Sequence, residues 1–287
     1  MQKQRQQHIS LLSILIPTYD ESQNILRLLE EIKDNLLVRI PTEIIVVDDN
    51  SPDKTGKIVE YYTQAINKMI ESKQIREQQS NGSNNSYSNC SVKVVHRTGR
   101  YGLVSAIMEG IKSSTGDYIL IMDADFSHSP EIIPKIIREL EVYDTDIVVA
   151  SRYTEGGSIV GWPVKRRLIS KTAIKIAQIA LGVQKEVTDP MSGFFAFKRQ
   201  VMDKITINTS GYKVLLEILI KSEDRIKVKE IPYTFVDRRA GVSKLGSSVM
   251  LEYVKSVGDL YRYQRKQQRE IKKRRETITD KQLQKHK

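Results

Sequence analysis

Acidic side chains follow three strongly apolar segments of the chain. These segments end in PTYDE (17–21), VVDD (46–49) and MDAD (122–125). A single acidic residue after a strand is ordinary helix-capping chemistry. Two aspartates separated by one residue place two hard oxygen donors near one point, which suits Mg²⁺ or Mn²⁺ bound to a diphosphate. We therefore take Asp123 and Asp125 as candidate metal ligands.

The segments that position these residues alternate between short apolar strands and helices. The patterns predict strands at 10–17, 43–47, 92–96, 118–122 and 146–151, and helices at 20–37, 55–75, 103–113, 130–142 and 166–183. Ile/Val-rich strands alternating with helices are typical of an α/β fold with a mostly parallel sheet, in which ligands bind at the carboxyl ends of the strands. Neither a G-x-G-x-x-G nor a G-x-x-x-x-G-K-[ST] motif is present, so neither dinucleotide-fold nor P-loop chemistry is supported.

Composition sets the broad class of the protein. The 287 residues are 39% hydrophobic and 28% charged, which predicts a folded globular chain. The single cysteine, Cys90, excludes a disulfide framework and a Cys-rich zinc module. No run approaches the roughly 18 apolar residues of a spanning helix, and the first ten residues lack the apolar core of a signal peptide. We therefore expect a cytoplasmic chain.

Positive charge is concentrated at the end of the sequence. The net charge is +11, and residues 262–287 carry eleven Lys/Arg against three acidic residues. Such a tail suits an anionic lipid surface or a nucleic acid, and a solvated helix explains it equally well. The expected organisation is an extension at 1–9, a catalytic domain at 10–245 with a mobile loop at 78–91, and a helix with a basic tail at 246–287.

The acidic motifs, in their order and at their strand ends, resemble those of the family 2 glycosyltransferases, nucleotide-sugar enzymes with the GT-A fold. Four further segments resemble the dolichyl-phosphate β-mannosyltransferases. They are SRYTEGGSIVGWPVKRRLIS (151–170), DPMSGFFAFK (189–198), GYKVLLEI (211–218) and FVDRRAGVSKL (235–245). The resemblance covers roughly residues 10–250 and implies inverting transfer of mannose from GDP-mannose to dolichyl or another polyprenyl phosphate.

The resemblance also implies which residues bind the donor. The expected donor-binding set is Pro17, Tyr19, Glu21, Val47, Asp49, Asp123, Ala124, Asp125, Arg238 and Lys244. Mg²⁺ or Mn²⁺ is the expected cofactor. Two positions depart from the family pattern, because Asp20 replaces a more frequent Asn and Lys54 replaces a common Gly.

An anionic acceptor requires fixed cations, and arginine binds phosphate in a bidentate manner. The expected acceptor-phosphate set is Arg152, Arg166, Ser170 and Arg238, which with Asp125 is also the expected catalytic set. Arg166 and Ser170 are four residues apart on a predicted helix and so share one face. For His128 we favour a role in positioning the Asp123–Asp125 turn over metal ligation or base catalysis, and for Trp162 a packed loop aromatic.

The helix at 166–183 has an unusually wide apolar surface, which either core burial or contact with a membrane interface explains. We expect peripheral association with the cytoplasmic face of a membrane, with a small membrane-anchoring subunit as a further partner. The sequence resembles the shorter family members that lack spanning helices of their own.

Two other functions compete with mannosyl transfer. One is transfer of glucose or N-acetylhexosamine from a UDP donor to polyprenyl phosphate. The other is a non-enzymatic protein that binds anionic lipid or nucleic acid through its basic tail. The tail's few aromatic residues, Tyr261 and Tyr263, do not form the stacking pattern of a single-strand binder, so no nucleic-acid partner is expected.

Overall fold

The computed structural model describes residues 10–36, 40–77, 90–183, 187–203, 205–207, 213–222, 226–237 and 247–285. In these ranges the strands are β1 (Leu12–Thr18), β2 (Thr42–Asp48), β3 (Cys90–His96), β4 (Tyr118–Ile121), β5 (Ile147–Ser151), β6 (Ser158–Val160), β7 (Phe195–Lys198), β8 (Val228–Pro232) and β9 (Thr234–Val236). The α-helices are α1 (Ile25–Asn35), α2 (Thr55–Glu77), α3 (Leu103–Ser113), α4 (Ile133–Glu141), α5 (Val164–Leu181), α6 (Val214–Lys221) and α7 (Ser247–Lys285).

The large sheet has the strand order β3-β2-β1-β4-β7-β5-β8. Its strands run parallel except β7, which is antiparallel to both β4 and β5. The predicted mostly parallel sheet is therefore confirmed. A second sheet pairs only β6 with β9 in the described residues, and the sequence pattern did not predict it.

Helices cover both faces of the large sheet. Along β1, the buried side chains of Leu12, Ile14 and Ile16 point to the face covered by α1, α2 and α4, whereas Leu15 points to the face covered by α3 and α6. This alternation is the two-residue period of a strand that is buried on both faces. A third cluster joins α5, α6 and α7 through residues such as Ala177, and so adds an outer layer beside α6.

Several predicted boundaries were wrong for physical reasons. The first helix begins at Ile25 instead of 20, because residues 19–22 bend to contact the loop after β2. The predicted helix at 130–142 is a 3₁₀ turn at Pro130–Ile132 followed by α4, since Pro134 has no N–H to donate to the Pro130 carbonyl. The predicted loop at 78–91 ends too late, because β3 already begins at Cys90, and residues 78–89 lie outside the described residues.

Helix α5 has one buried side and one exposed side, which explains why its wide apolar surface allowed two interpretations. One side is buried against the α6–α7 layer through Ile174, Ala177 and Leu181, while the opposite side exposes Val164 and Ile179 at 81% and 85%. Core burial therefore explains one side of its wide apolar surface, and the other side is exposed. In the described part of the chain, none of the helices combines the length and apolar character needed to cross a membrane.

The two departures from the family pattern both fall at left-handed backbone positions. Asp20 has φ of 62° and Lys54 has φ of 66°. The left-handed region costs an L-residue with a Cβ roughly 1–2 kcal/mol, and Gly and Asn tolerate it best. The family's preference for Asn and Gly at these positions thus has a conformational basis, and this chain retains strain in the two loops that meet at the sheet edge.

We predict that Lys54→Gly stabilises the protein by about 1 kcal/mol, because it relieves that strain at an exposed side chain. Thermal unfolding should show a melting temperature higher by roughly 2–4 °C. The matched control is Lys57→Gly at an exposed position in α2, which should destabilise by up to about 1 kcal/mol. Equal destabilisation by both variants would contradict the assignment of strain to Lys54.

Candidate active site

The carboxyl ends of β1, β2 and β4 meet at one edge of the sheet. In the strand register Thr18 lies opposite Asp48, and Leu15 lies opposite both Ile45 and Ile121. The three acidic segments that follow these strands are therefore neighbours, as parallel pairing requires. Among the predicted donor-binding residues, Pro17 and Val47 lie opposite each other in β1 and β2.

The loop after β1 is tied to the loop after β2 by hydrogen bonds. The N–H of Glu21 donates to Thr55 Oγ1 at 2.9 Å, and the N–H of Ser22 donates to Asp53 Oδ2 at 2.9 Å. Asp53 also accepts a hydrogen bond from the Thr55 N–H at 3.0 Å at the start of α2. Partial burial raises the pKa of Asp53, but the hydrogen bonds from Thr55 and Ser22 outweigh this effect and leave it below its usual value. A charged Asp53 thus holds the two loops together.

Asp49, a predicted donor-binding residue, is buried and organises the loop before α3. Its Oδ2 accepts from the backbone N–H groups of Tyr101 and Gly102 at 2.9 and 2.7 Å, and its Oδ1 accepts from Arg97 at 2.5 Å. The carboxylate therefore connects the end of β2 to the 97–102 loop.

Two arginines at this end of the site were missed by the sequence reasoning. Arg97 pairs with Asp49, and the Arg100 guanidinium lies 4.0 Å from the centre of the Tyr19 ring. Tyr19 is a predicted donor-binding residue, so Arg100 brings a positive charge to the same surface. The segment HRTGRYG (96–102) directly after a strand was the available signal, since basic residues at a strand end suit a phosphate group.

The candidate metal ligands follow β4 in a tight turn. The Asp123 side chain is 40% exposed, and Asp125 Oδ1 accepts a hydrogen bond from the Ser127 N–H at 3.1 Å. Phe126, between Asp125 and Ser127, has φ of 60°, so the turn holds a left-handed residue. Gly193 approaches this turn so closely that an added Cβ would lie 3.3 Å from the His128 ring and 3.6 Å from Asp123 Oδ2.

His128 supports this turn from within the fold. Its Nδ1 accepts a hydrogen bond from the Asp123 N–H at 2.8 Å, and its ring stacks on Phe194 at 4.9 Å between centroids. Burial lowers the pKa of His128 below that of a free imidazole, so the neutral ring is favoured. Because the Nδ1 lone pair is already used, the contacts agree with a positioning role and not with metal ligation through that nitrogen.

Arg152 is held in a buried ion pair that sequence reasoning did not foresee. Its Nε and Nη2 donate to Asp189 at 2.7 and 2.8 Å, and the Asp189 side chain is 0% exposed. The Asp189 N–H donates in turn to Glu230 at 2.8 Å. Burial disfavours the charged guanidinium, but Asp189 outweighs this effect and raises the pKa of Arg152 above its usual value.

Arg166 lies at the start of α5 and forms a second pair. Its Nη1 donates to both carboxylate oxygens of Asp237 at 3.0 Å, and its guanidinium stacks over the Trp162 ring at 4.1 Å. Arg152 lies over the same indole at 5.4 Å. Ser170, one turn after Arg166, is half-buried on the same helix. The structure therefore brings the predicted acceptor arginines 152 and 166 together around one tryptophan.

Three buried polar atoms beside these arginines have no hydrogen-bond partner within the described ranges. They are the Tyr153 hydroxyl, the Trp162 indole nitrogen and Arg166 Nε. Buried donors are nearly always satisfied in folded proteins, so an orphaned group points to a bound ligand or water. All three can donate a hydrogen bond, which is what a phosphate oxygen requires.

Lys213 is a further charged group that the sequence reasoning left without a role. The charges of Arg152, Asp123 and Asp189 all act on its ammonium group, so it lies near both the metal-ligand turn and the Arg152–Asp189 pair. Loss of hydration and the charge of Arg152 lower its pKa to about 8. Its only sequence signal was its position in GYKVLLEI, just before an apolar helix.

Two predicted site residues cannot be placed, because Arg238 and Lys244 lie outside the described residues. The others group into a donor end, with Pro17, Tyr19, Glu21, Val47 and Asp49, a central turn, with Asp123, Ala124 and Asp125, and a cationic end, with Arg152, Arg166 and Ser170. His128, Phe194, Tyr233, Phe235 and Trp162 form a chain of aromatic contacts that connects the central turn to the cationic end.

The central turn fits a hard divalent cation. Among the described residues, no three His, Cys, Asp or Glu side chains converge as a complete metal cage. Mg²⁺ and Mn²⁺ sites in nucleotide enzymes commonly use one or two carboxylates and complete their shell with phosphate oxygens and water. Asp123 and Asp125 supply such carboxylates at a partly exposed edge.

Solved structures with the same fold are glycosyltransferases. Mannosyl-3-phosphoglycerate synthase from Rubrobacter xylanophilus aligns with a TM-score of 0.58 at 17% identity, covering 91% of this chain and 75% of that protein. A mannosyltransferase from Pyrobaculum calidifontis, solved with GDP-Man and Mn²⁺, aligns with a TM-score of 0.54 at 18% identity, covering 82% and 58%. The fold is therefore of the GT-A class, as predicted.

Sequence comparison gives the family. The profile described as "Glycosyl transferase family 2" matches residues 13–206. The chain belongs to glycosyl transferase family 2. The family prediction is confirmed.

Two curated relatives of similar sequence share one name within this family. A dolichol-phosphate mannosyltransferase from Pyrococcus furiosus is 38% identical over 252 residues, which are 88% of this chain and 64% of that protein. The protein of the same name from Saccharomyces cerevisiae is 32% identical over 259 residues, 87% of this chain and 86% of that protein. This chain therefore spans less than two thirds of the length of the Pyrococcus relative.

We predict that Asp189→Asn lowers the free energy of unfolding by about 3–5 kcal/mol, because it leaves the buried Arg152 charge without its carboxylate. Urea unfolding followed by circular dichroism measures this loss. The control is Glu31→Gln, which removes one charge from the exposed Arg27–Glu31 pair and should change stability by less than about 1 kcal/mol. Similar small effects of both variants would show that Arg152 does not depend on Asp189.

Proposed function

We propose that the protein transfers mannose from GDP-mannose to dolichyl phosphate, or another polyprenyl phosphate, and releases dolichyl β-D-mannosyl phosphate. The observation that carries the proposal is the placement of a partly exposed Asp-x-Asp turn near two largely buried arginines that have orphaned donors beside them. The first suits a sugar diphosphate and the second an anionic acceptor. The names of the Pyrococcus and yeast relatives supply the sugar and the acceptor.

In this proposal the donor end binds GDP. Pro17, Tyr19, Glu21, Val47 and Asp49 line the nucleotide site, and Arg100 beside Tyr19 adds a positive charge near the phosphates. Asp123, Ala124 and Asp125 face the diphosphate. Arg238 and Lys244 complete the donor set.

Asp123 and Asp125 would hold Mg²⁺ or Mn²⁺, which when bound neutralises the diphosphate and stabilises GDP as a leaving group. His128 keeps the Asp123 backbone in position through its neutral Nδ1. The Gly193 backbone leaves room for this packing, since a side chain there would press on the histidine ring. These contacts orient the carboxylates before any substrate arrives.

At the cationic end, Arg152 and Arg166, with Ser170 and Arg238, bind the acceptor phosphate. A phosphate oxygen attacks the anomeric carbon from the face opposite GDP, so that the new C–O bond forms as the bond to the diphosphate breaks and the configuration inverts. A phosphate monoester is already largely ionised near neutral pH. The acceptor therefore needs positioning and desolvation more than a general base, and we assign no residue that role.

We also propose peripheral association with the cytoplasmic face of a membrane, where a polyprenyl phosphate resides. The exposed side of α5 supports this, because Val164, Leu168 and Ile179 are 81%, 65% and 85% exposed and alternate with Lys171 and Lys175. Apolar side chains flanked by lysines suit the membrane interface. A small membrane-anchoring subunit is a further proposed partner.

The first experiment measures transfer of labelled mannose from GDP-mannose into an organic-extractable product, with polyprenyl phosphate and either Mg²⁺ or Mn²⁺. We expect metal-dependent product from the wild type and a loss of about 100-fold or more in Asp125→Ala. Asp34→Ala, at an exposed position in α1, is the control and should retain full activity. Product from a UDP-sugar but not from GDP-mannose would replace the proposed donor.

A second experiment tests the acceptor end. We expect Arg166→Ala to raise the KM for polyprenyl phosphate about tenfold or more, because a bidentate contact to the phosphate is lost. The affinity for GDP-mannose, measured by calorimetry, should remain unchanged. Arg167→Ala is the matched control, since its exposed neighbouring side chain donates to the Ile159 carbonyl. Equal weakening of donor and acceptor binding would contradict the assignment.

A further inference from the structure

Helix α7 continues well beyond the layer on which it packs. Its first part is buried against α5 and α6 through Tyr253, Val257 and Leu260. The Tyr253 hydroxyl donates to the Ala173 carbonyl at 2.6 Å, and the Gln264 amide donates to the Leu181 carbonyl at 2.9 Å. Residue numbers rise in the same direction along both helices, so α7 runs parallel to α5 and passes its end at Leu181. About 20 residues of α7 extend past this point, roughly 30 Å of helix.

The basic residues of this continuation share one face. Arg262, Arg265, Lys266, Arg269, Lys272 and Lys273 are all exposed. Their spacings of three, four, seven, ten and eleven residues from Arg262 place them within about a third of the helix circumference. The residues that pack on α5 and α6 lie on the opposite side of the same helix. We call these six residues the basic stripe.

Exposed apolar side chains lie on the same face as the basic stripe. Val254 is 59% exposed and Tyr261 is 42% exposed. Tyr261 precedes Arg265 by four residues, and the Tyr261 hydroxyl accepts a hydrogen bond from Arg265 Nε at 3.0 Å. Val254 precedes Tyr261 by seven residues, or two turns, so the face begins apolar and continues basic.

We propose that this face of α7 binds the surface of a bilayer that contains anionic lipids. A row of cations over three turns matches a flat, negatively charged surface, and each Lys or Arg near such a surface strengthens binding about fivefold. Exposed apolar side chains on the same face suit the headgroup boundary, which a nucleic acid does not offer. The inference concerns the stripe itself and does not depend on the proposed transfer reaction.

The test is co-sedimentation of the full chain with vesicles of phosphatidylcholine alone and of phosphatidylcholine with about one third phosphatidylserine. We expect at least about 500-fold tighter binding to the anionic vesicles, and weaker binding when salt rises from about 0.1 to about 0.5 M. The stripe variant replaces Arg265, Lys266, Arg269 and Lys272 with Gln and should lose roughly 500-fold in affinity for the anionic vesicles, about fivefold for each cation removed.

The matched control removes the same total charge from exposed positions in α2, α3 and α4, with Lys57, Lys112, Lys135 and Arg138 replaced by Gln. It should retain most of the wild-type affinity for anionic vesicles. Equal losses in both variants would overturn the proposal, because net charge alone would then explain binding. Binding of duplex or single-stranded nucleic acid that needs the stripe, with vesicle binding unaffected by it, would also overturn it.

Circular dichroism checks that both variants are folded. We expect that they are, because the stripe lies on the exposed side of α7. Transfer to a short-chain, water-soluble polyprenyl phosphate in the absence of vesicles should be unchanged in both variants. If the stripe variant lost this vesicle-free reaction as strongly as it lost vesicle binding, the proposal that the stripe acts only by binding a membrane surface would be overturned. If no transfer occurs even in the wild type, the vesicle measurement still decides the inference.

Discussion

The buried pair between Arg152 and Asp189 is the constraint on which the cationic end of the site depends. A buried guanidinium charge is very costly in free energy without its carboxylate partner. The pair therefore constrains the geometry of the fold more than it adds to net stability. The pair holds the end of β5 against the segment before β7. Glu230 in β8 joins them, because it accepts a hydrogen bond from the Asp189 N–H and so orients that backbone. The loop before β7 is thereby held at the same sheet edge as the Asp-x-Asp turn.

Aromatic contacts connect the region of the Arg152–Asp189 pair to the central turn. Phe194, five residues after Asp189, stacks on His128, and His128 accepts the Asp123 N–H. On the other side, Phe235 packs against Trp162 at 5.1 Å, and both lie near the Arg152 guanidinium. Rings fill the space between carboxylates and arginines, so the opposite charges stay apart instead of neutralising one another. A site for a sugar diphosphate and an anionic acceptor needs that separation.

Local pattern and strand order were enough to predict part of this architecture from the sequence. The parallel sheet, the strand-end placement of 17–21, 46–49 and 122–125, and the shared helix of Arg166 and Ser170 all depend on periodicity that is visible along the chain. Asp189 and Asp237 could not be predicted as partners, because they lie 37 and 71 residues from the arginines they bind. The sheet of β6 and β9, three residues in each strand, likewise depends on pairing between distant segments. Long-range pairing thus decides which cation meets which carboxylate.

The two arginines differ in a way that separates their roles in the proposed transfer. Arg152 is 10% exposed and binds a carboxylate with 0% exposure, so releasing it for a substrate would strand a buried charge. Arg166 and Asp237 are 19% and 25% exposed, and Arg166 Nε has no partner among the described residues. A phosphate can therefore share Arg166 with Asp237 at a lower cost than it could share Arg152 with Asp189, because the Arg166 pair is partly exposed. In this view Arg166 contacts the acceptor phosphate directly, and Arg152 adds its positive charge to the same site from within its pair with Asp189.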